Sequence, residues 1–229
     1  IYAKRDTLNN LSTLGNNLNS QFTTIVGSES INVPWEVSSG IMAEVAAAGQ
    51  NDPARPFQTL GVGGLVSANE DDRFTLEERN TILFNGIATS RVDAGGILRI
   101  ERMITTYKEN AVGAPDTSYL DLNTLLTLSF IRFDFRNYFL RKYPRHKLAN
   151  DGTRFNPGQA VITPKIGKAE AITKFRQWEG LALVENIDQF KEDLIVERNP
   201  SDPNRLDFLL PPDLVNQMRV FGVKIGFLL

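Results

Sequence analysis

Seven cations, Arg132, Arg136, Arg141, Lys142, Arg145, Lys147 and Arg154, fall in the stretch RFDFRNYFLRKYPRHKLANDGTR, with only Asp134 and Asp151 as counter-charges. Cations interleaved with Phe and Tyr can follow a phosphate backbone and stack on bases, which is one reading of residues 132–154. A second is a packed helix whose aromatics are core and whose cations gather at its C-terminus, where they are favoured. A third is a docking surface for an acidic protein partner. The residue types leave these three open. His146 is the sole histidine. Flanked by Arg145 and Lys147, it has no adjacent carboxylate to orient it as a general base and no cluster of ligands to share a metal.

Other chemistry finds less support. GVGG at Gly61–Gly64 suggests a phosphate loop, but the third glycine of the dinucleotide pattern is absent and no helix start follows directly, so a tight bend is the better reading. Glu70, Asp71, Asp72, Glu77 and Glu78 could serve as acid–base groups, yet they surround a helix start, where carboxylates are favoured. No catalytic or metal motif appears, so no catalytic, cofactor or metal residue is assigned. With no cysteine, disulfides and thiolate chemistry are excluded. A net charge of −2 with 23% charged residues does not mark the chain as a general nucleic-acid binder or as disordered. No apolar run approaches the ~18 residues needed to span a bilayer.

The elements that position these residues alternate without a regular βαβ rhythm. The chain opens at Ile1 rather than Met, as if inside a helix, and reads as a piece of a longer protein. Leu8, Leu11, Leu14 and Leu18 keep a helical period; QFTTIVGS reads as a strand; EVSSGIMAEVAAAG reads as a helix capped by Gly49. QTLGVGGLV is an extended segment. Thr75 with Glu78 makes a capping box, and IATSRV–DAGG–ILRIERMITTY makes a hairpin near 87–106. Tyr119–Tyr143 predicts a long, largely buried helix, with Phe130 and Phe133 on its packed side and Arg132 and Arg136 as a narrow polar stripe. QAVITP is a short strand, and Thr163–Pro164 starts a helix ending near Gly180. The remainder, from ENIDQFKEDLIVERN on, reads as two or three strands joined by loops. The fold class expected is an α/β (α+β) sandwich, a mixed sheet flanked by helices.

The chain finishes on RVFGVKIGFLL. Phe221, Val223, Ile225, Phe227 and Leu229 share one face of an extended segment, while Val220, Gly222, Lys224 and Gly226 share the other. So apolar an alternation predicts a strand that must be paired, with the glycines allowing close approach by another backbone.

Eight stretches taken in order resemble one family: ARPFQTL, DDRFTLEERNTILFNGIATSRVDAGG, RIERMITTY, DTSYLDL, YPRHKLANDGTRF, PGQAVITP, LIVERNPSDPNRLDFLLPPDLVNQMRVFG and the terminal strand. The chain resembles the C-terminal half of tail sheath proteins of Mu-like contractile bacteriophages and prophages. The likeness is strongest from about Ala54 on, dividing the chain into residues 1–53, from the middle of the parent protein, and a C-terminal domain 54–229. The resemblance implies a structural, non-enzymatic role: homo-oligomeric rings stacked on a tail tube protein, contracting on a signal from the baseplate. Tail tube, baseplate and tail terminator are the implied partners, with no cofactor, membrane or direct nucleic-acid contact. The implied location is the virion, after assembly in the host bacterial cytoplasm. Another phage tail or baseplate assembly protein is the nearest alternative. In related sheaths terminal arms add strands to neighbours' sheets. That assigns Met218, Val220, Phe221, Val223, Lys224, Ile225 and Phe227 to a subunit interface. Arg136, Arg141, Lys142, Arg145, His146 and Lys147 become a candidate tube- or ring-facing group.

Overall fold

The computed structural model describes residues 1–228, which fall into two compact units. One comprises Ile1–Leu126 and the chain from Gln217 onward; the other is Thr127–Asn216. These units are drawn differently from the segments 1–53 and 54–229, because the first 53 residues supply two strands and two helices to the sheet and core of the first unit.

In that unit β1 (Tyr2–Lys4), β2 (Ile25–Gly27), β3 (Gly61–Val62), β4 (Ala88–Val92) and β5 (Leu98–Arg102) form one mixed sheet in the order β1-β2-β4-β5-β3. β1, β2 and β4 run parallel, while β4, β5 and β3 pair antiparallel. Parallel neighbours need crossovers, and these are α1 (Leu8–Asn16), α2 (Pro34–Asn51) and α3 (Leu76–Phe84). The period of two splits the sheet's side chains between two layers. Val26, Ala88, Leu98 and Ile100 pack with Val37, Ile41 and Val45 of α2, and Ile25 and Ile87 pack with Leu11 of α1 and Ile82 of α3. At Gly15 a Cβ would lie 2.0 Å from the Asn85 carbonyl oxygen, so only glycine lets α1 approach the end of α3 so closely.

Local signals explain the well-anticipated elements. Thr75 accepts from the Glu78 amide while Glu78 accepts from the Thr75 amide, the expected capping box. The β4–β5 turn is closed by Asp93, whose Oδ1 accepts from Gly95 N at 2.9 Å and Ile97 N at 3.0 Å, with Gly96 at φ +77°. Two expectations for this unit are corrected. The chain opens in strand β1, not in a helix; three residues are too few for a period, and their partner β2 is distant in sequence. α2 runs through Gly49 to Asn51, because Asp52 is pushed to extended backbone by Pro53.

The second unit begins within α4 (Leu122–Lys142). It holds β6 (Lys147–Leu148) parallel to β7 (Val161–Ile162), α5 (Pro164–Gly180), β8 (Val184–Glu185), α6 (Ile187–Asp193), and the hairpin β9 (Ile195–Arg198)–β10 (Leu206–Leu209). β11 (Asp213–Leu214) pairs antiparallel with β8. Thr163 caps α5 and Pro164 takes its first turn, as expected. A Cβ at Gly167 would sit 3.1 Å from Leu206, Phe208 and Val196, which seats α5 on the hairpin. α6 replaces a stretch read as strand: Asn186 turns left-handed at φ 60° and Phe190 is buried against Phe175, with ring centroids 4.1 Å apart. Among the described residues no helix is long and apolar enough to cross a membrane.

Candidate functional site

The C-terminal run leaves the first unit as an arm. Among the described residues, no backbone group of 218–228 pairs within the chain. Phe221, Val223, Ile225 and Phe227 are 63–86% exposed, and Met218, Val220 and Leu228 are exposed as well. The expected pairing therefore has no partner at home. Lys224 is exposed on the thin face, and a Cβ at Gly222 or Gly226 would meet nothing within 4 Å. Leu229, the last residue of the apolar face, lies outside the described residues. Burying one such side chain is worth about 1.5–3 kcal/mol, a gain these exposed side chains do not make within the chain.

The root of the arm is held. Gln217 Nε2 donates to Ala54 O at 3.3 Å, and Arg219 Nη2 donates to Asp121 Oδ1 at 2.9 Å and to Gln217 Oε1. The same Asp121 oxygen accepts from Arg102 Nη2 at 3.3 Å. Burial lowers the Arg219 pKa from its ordinary value, and Asp121 opposes that shift.

The basic group divides. Lys142 is not free for a partner: its Nζ lies 2.8 Å from a Glu170 carboxylate oxygen and donates to Tyr138 Oη at 2.8 Å. Tyr143 Oη donates to Glu170 Oε1 at 2.6 Å, and Tyr138 Oη donates to the same carboxylate. Burial favours the neutral form of Glu170, but the bonds from Lys142 and the two tyrosines outweigh it and hold the carboxyl below its usual range. Burial and the Glu170 bond push Tyr143 up to about 12. His146 packs edge-on to Tyr143, centroids 4.8 Å apart, and its Nδ1 is buried without a partner among the described residues. Lys147 sits in β6 and reaches Gln159 Oε1 at 3.1 Å. Arg136, Arg141 and Arg145 face outward, Arg141 with only a long 3.4 Å bond to Asn137 O.

Both acidic residues of this stretch are committed elsewhere. Asp134 pairs with buried Lys174 at 2.5 Å and accepts from Trp178 Nε1 at 2.7 Å. Asp151 accepts from the Lys165 amide at 2.9 Å, at the start of α5. The outward arginines thus carry less neutralisation than their sequence neighbours suggest.

α4 is not largely buried as expected. Phe133 is 67% and Leu140 57% exposed, and with Arg136 they fall at i, i+3 and i+7, on one helix face. That spacing was readable in the sequence, but Phe133 was grouped with the packed side. The face combines apolar and basic side chains, as protein-docking surfaces do.

An open cleft of about 650 Å³ in the first unit is lined chiefly by polar residues such as Arg5, Asp6, Asp71 and Asp72, with Arg5 and Asp72 paired at 3.3 Å. Among the described residues no group of three or more His, Cys, Asp or Glu is placed to hold a metal. The Gly61–Gly64 stretch is β3 followed by a bend with Gly64 at φ +76° and no helix start directly after it.

Comparison with known proteins gives these surfaces a context. The phage tail sheath protein central domain matches residues 4–106, and the phage tail sheath C-terminal domain matches residues 114–227. The Mu-like prophage FluMu tail sheath protein of Haemophilus influenzae is 41% identical over 230 residues, covering 99% of this chain and 47% of that protein. The chain thus spans about half the length of that relative. The crystal structure of a sheath tail protein from Desulfitobacterium hafniense matches with a TM-score of 0.55 at 12% identity, over 93% of this chain and 48% of that one. A chain of the anti-feeding prophage baseplate matches with a TM-score of 0.58 at 12% identity, over 92% of this chain and 56% of that one. At such identity these two likenesses are of fold. Two adjoining domains of one family, in order and across nearly every residue, together with the close relative, establish that the chain belongs to the phage tail sheath proteins.

Proposed function

We propose that this chain carries the central and C-terminal domains of a contractile tail sheath subunit, a structural protein that polymerises as stacked rings around a tail tube. The observation that carries this reading is the exposed, unpaired apolar arm at 218–228. An extended segment with free backbone groups and an apolar face is completed by a sheet edge on another copy. Edges are available: β1 ends the five-stranded sheet, and the β9–β10 hairpin stands alone as a two-stranded sheet. Met218, Val220, Phe221, Val223, Lys224, Ile225 and Phe227 are the interface residues in this reading.

Contraction needs no nucleotide here; its energy is stored when subunits assemble in the extended state and is released on a signal from the baseplate. The tail tube, baseplate and tail terminator are the remaining partners, and the virion tail is the location, reached by assembly in the host cytoplasm. The basic group is a tube- or ring-facing surface, with Arg136, Arg141 and Arg145 as its outward members and Lys142, His146 and Lys147 as its support. Phe133 and Leu140 supply the apolar part.

The full-length protein expressed alone should form long striated cylinders by electron microscopy; monodisperse subunits under all assembly conditions would refute the reading. Reversing Arg136, Arg141 and Arg145 to Glu should abolish docking to purified tube or stop ring stacking while subunit folding persists. Unchanged cylinders and tube binding would remove the basic surface from the account.

A further inference from the structure

The apolar run is not all arm. Gln217 and Arg219 are fastened to the first unit, through Ala54 O at 3.3 Å and Asp121 at 2.9 Å. The Arg219 side chain is only 17% exposed, whereas residues 220–228 lie open. Asp121 sits immediately before α4, and its Oδ1 also accepts from Arg102 Nη2 at 3.3 Å, so one carboxylate oxygen serves both guanidiniums. A carboxylate shared by two guanidiniums is a directional anchor, because each N–H···O bond constrains angle as well as distance.

We propose that Asp121 is a positioning residue that sets where the arm leaves the body, so that the free connector is residues 220–228. This rests on the reading of the segment as an assembly arm, and it limits that reading quantitatively. Nine extended residues reach about 30 Å, so the accepting edge on another copy must lie within that distance of Arg219. Removing the anchor would let the arm pivot, which lengthens its search and raises the ordering cost of each contact.

Limited trypsin digestion of the chain, followed by mass spectrometry, separates anchor from arm. Arg219 and Lys224 are both trypsin sites, one clasped and one free. In the unmodified chain the bond after Lys224 should be cut promptly and the bond after Arg219 slowly, because a clasped side chain must open before it can be bound. Asp121→Ala should speed the Arg219 cut roughly tenfold, the scale of one lost charge-assisted hydrogen bond, and leave the Lys224 cut unchanged. Arg102→Gln, which keeps the Asp121–Arg219 pair, should leave the Arg219 cut slow. Equal cutting at Arg219 and Lys224 in the unmodified chain would overturn the anchor without reference to any variant. The digestion reports only on the anchor; failure of the arm itself would appear as normal assembly by protein truncated after Arg219.

Discussion

Truncating the full-length protein after Arg219 should leave folded subunits that form no cylinders. Among the described residues, 220–228 make no backbone pairing within the chain, and their exposed side chains contribute little to its core. Thermal stability should therefore change by no more than about 0.5 kcal/mol, the range of ordinary surface changes. Assembly should be lost altogether. Phe221, Val223, Ile225 and Phe227 together offer on the order of 10 kcal/mol of burial to a partner, before the cost of ordering the arm. Polymerisation multiplies that contribution over every subunit contact. Electron microscopy and sedimentation after assembly give the readout, and cylinders of normal length and yield would contradict the role given to the arm.

Asp134→Ala should destabilise the second unit by about 3–5 kcal/mol, the cost of leaving a buried charge without its partner. The Lys174 side chain is 8% exposed and its Nζ lies 2.5 Å from Asp134. The substitution also strips Trp178 Nε1 of its acceptor. Trp35 is exposed and Trp178 buried, and these are the chain's two tryptophans, so a Trp35→Phe background makes urea-unfolding fluorescence report on the second unit. Replacing both partners, Asp134→Leu with Lys174→Met, should recover most of the loss, since removing a buried pair entirely is often neutral. A loss under about 1 kcal/mol in the single variant would mean that Lys174 finds water or another partner.

Elements with a strong local cause were legible in the sequence. The Thr75–Glu78 box, the Asp93–Gly96 turn and the Thr163–Pro164 start are chemistry between residues a few positions apart, and each stands where it was expected. What sequence missed depends on distant partners. β1 exists because β2 lies beside it, and β6 because β7 does. α6 is seven residues long and is secured by Phe190 reaching Phe175, a contact with no periodic trace.

The candidate surfaces follow the same rule. The alternation of the last residues announced a strand in need of pairing, but only the fold reveals that residues 218–228 pair with none of the chain's own strands and that Arg219 is tied down. In the basic stretch the number of cations was plain. Which of them is spent internally was not, because Glu170, the partner of Lys142, lies 28 positions away. Asp134 looked like a counter-charge for its neighbours and instead serves Lys174.

A cryo-electron microscopy reconstruction of the assembled sheath would reveal what residues 220–228 pair with. Residues 220–228 should be found as a strand hydrogen-bonded to a sheet edge of a neighbouring copy, with that edge within about 30 Å of Arg219. An arm folded back on its own subunit, or left without a partner in the intact cylinder, would contradict that pairing.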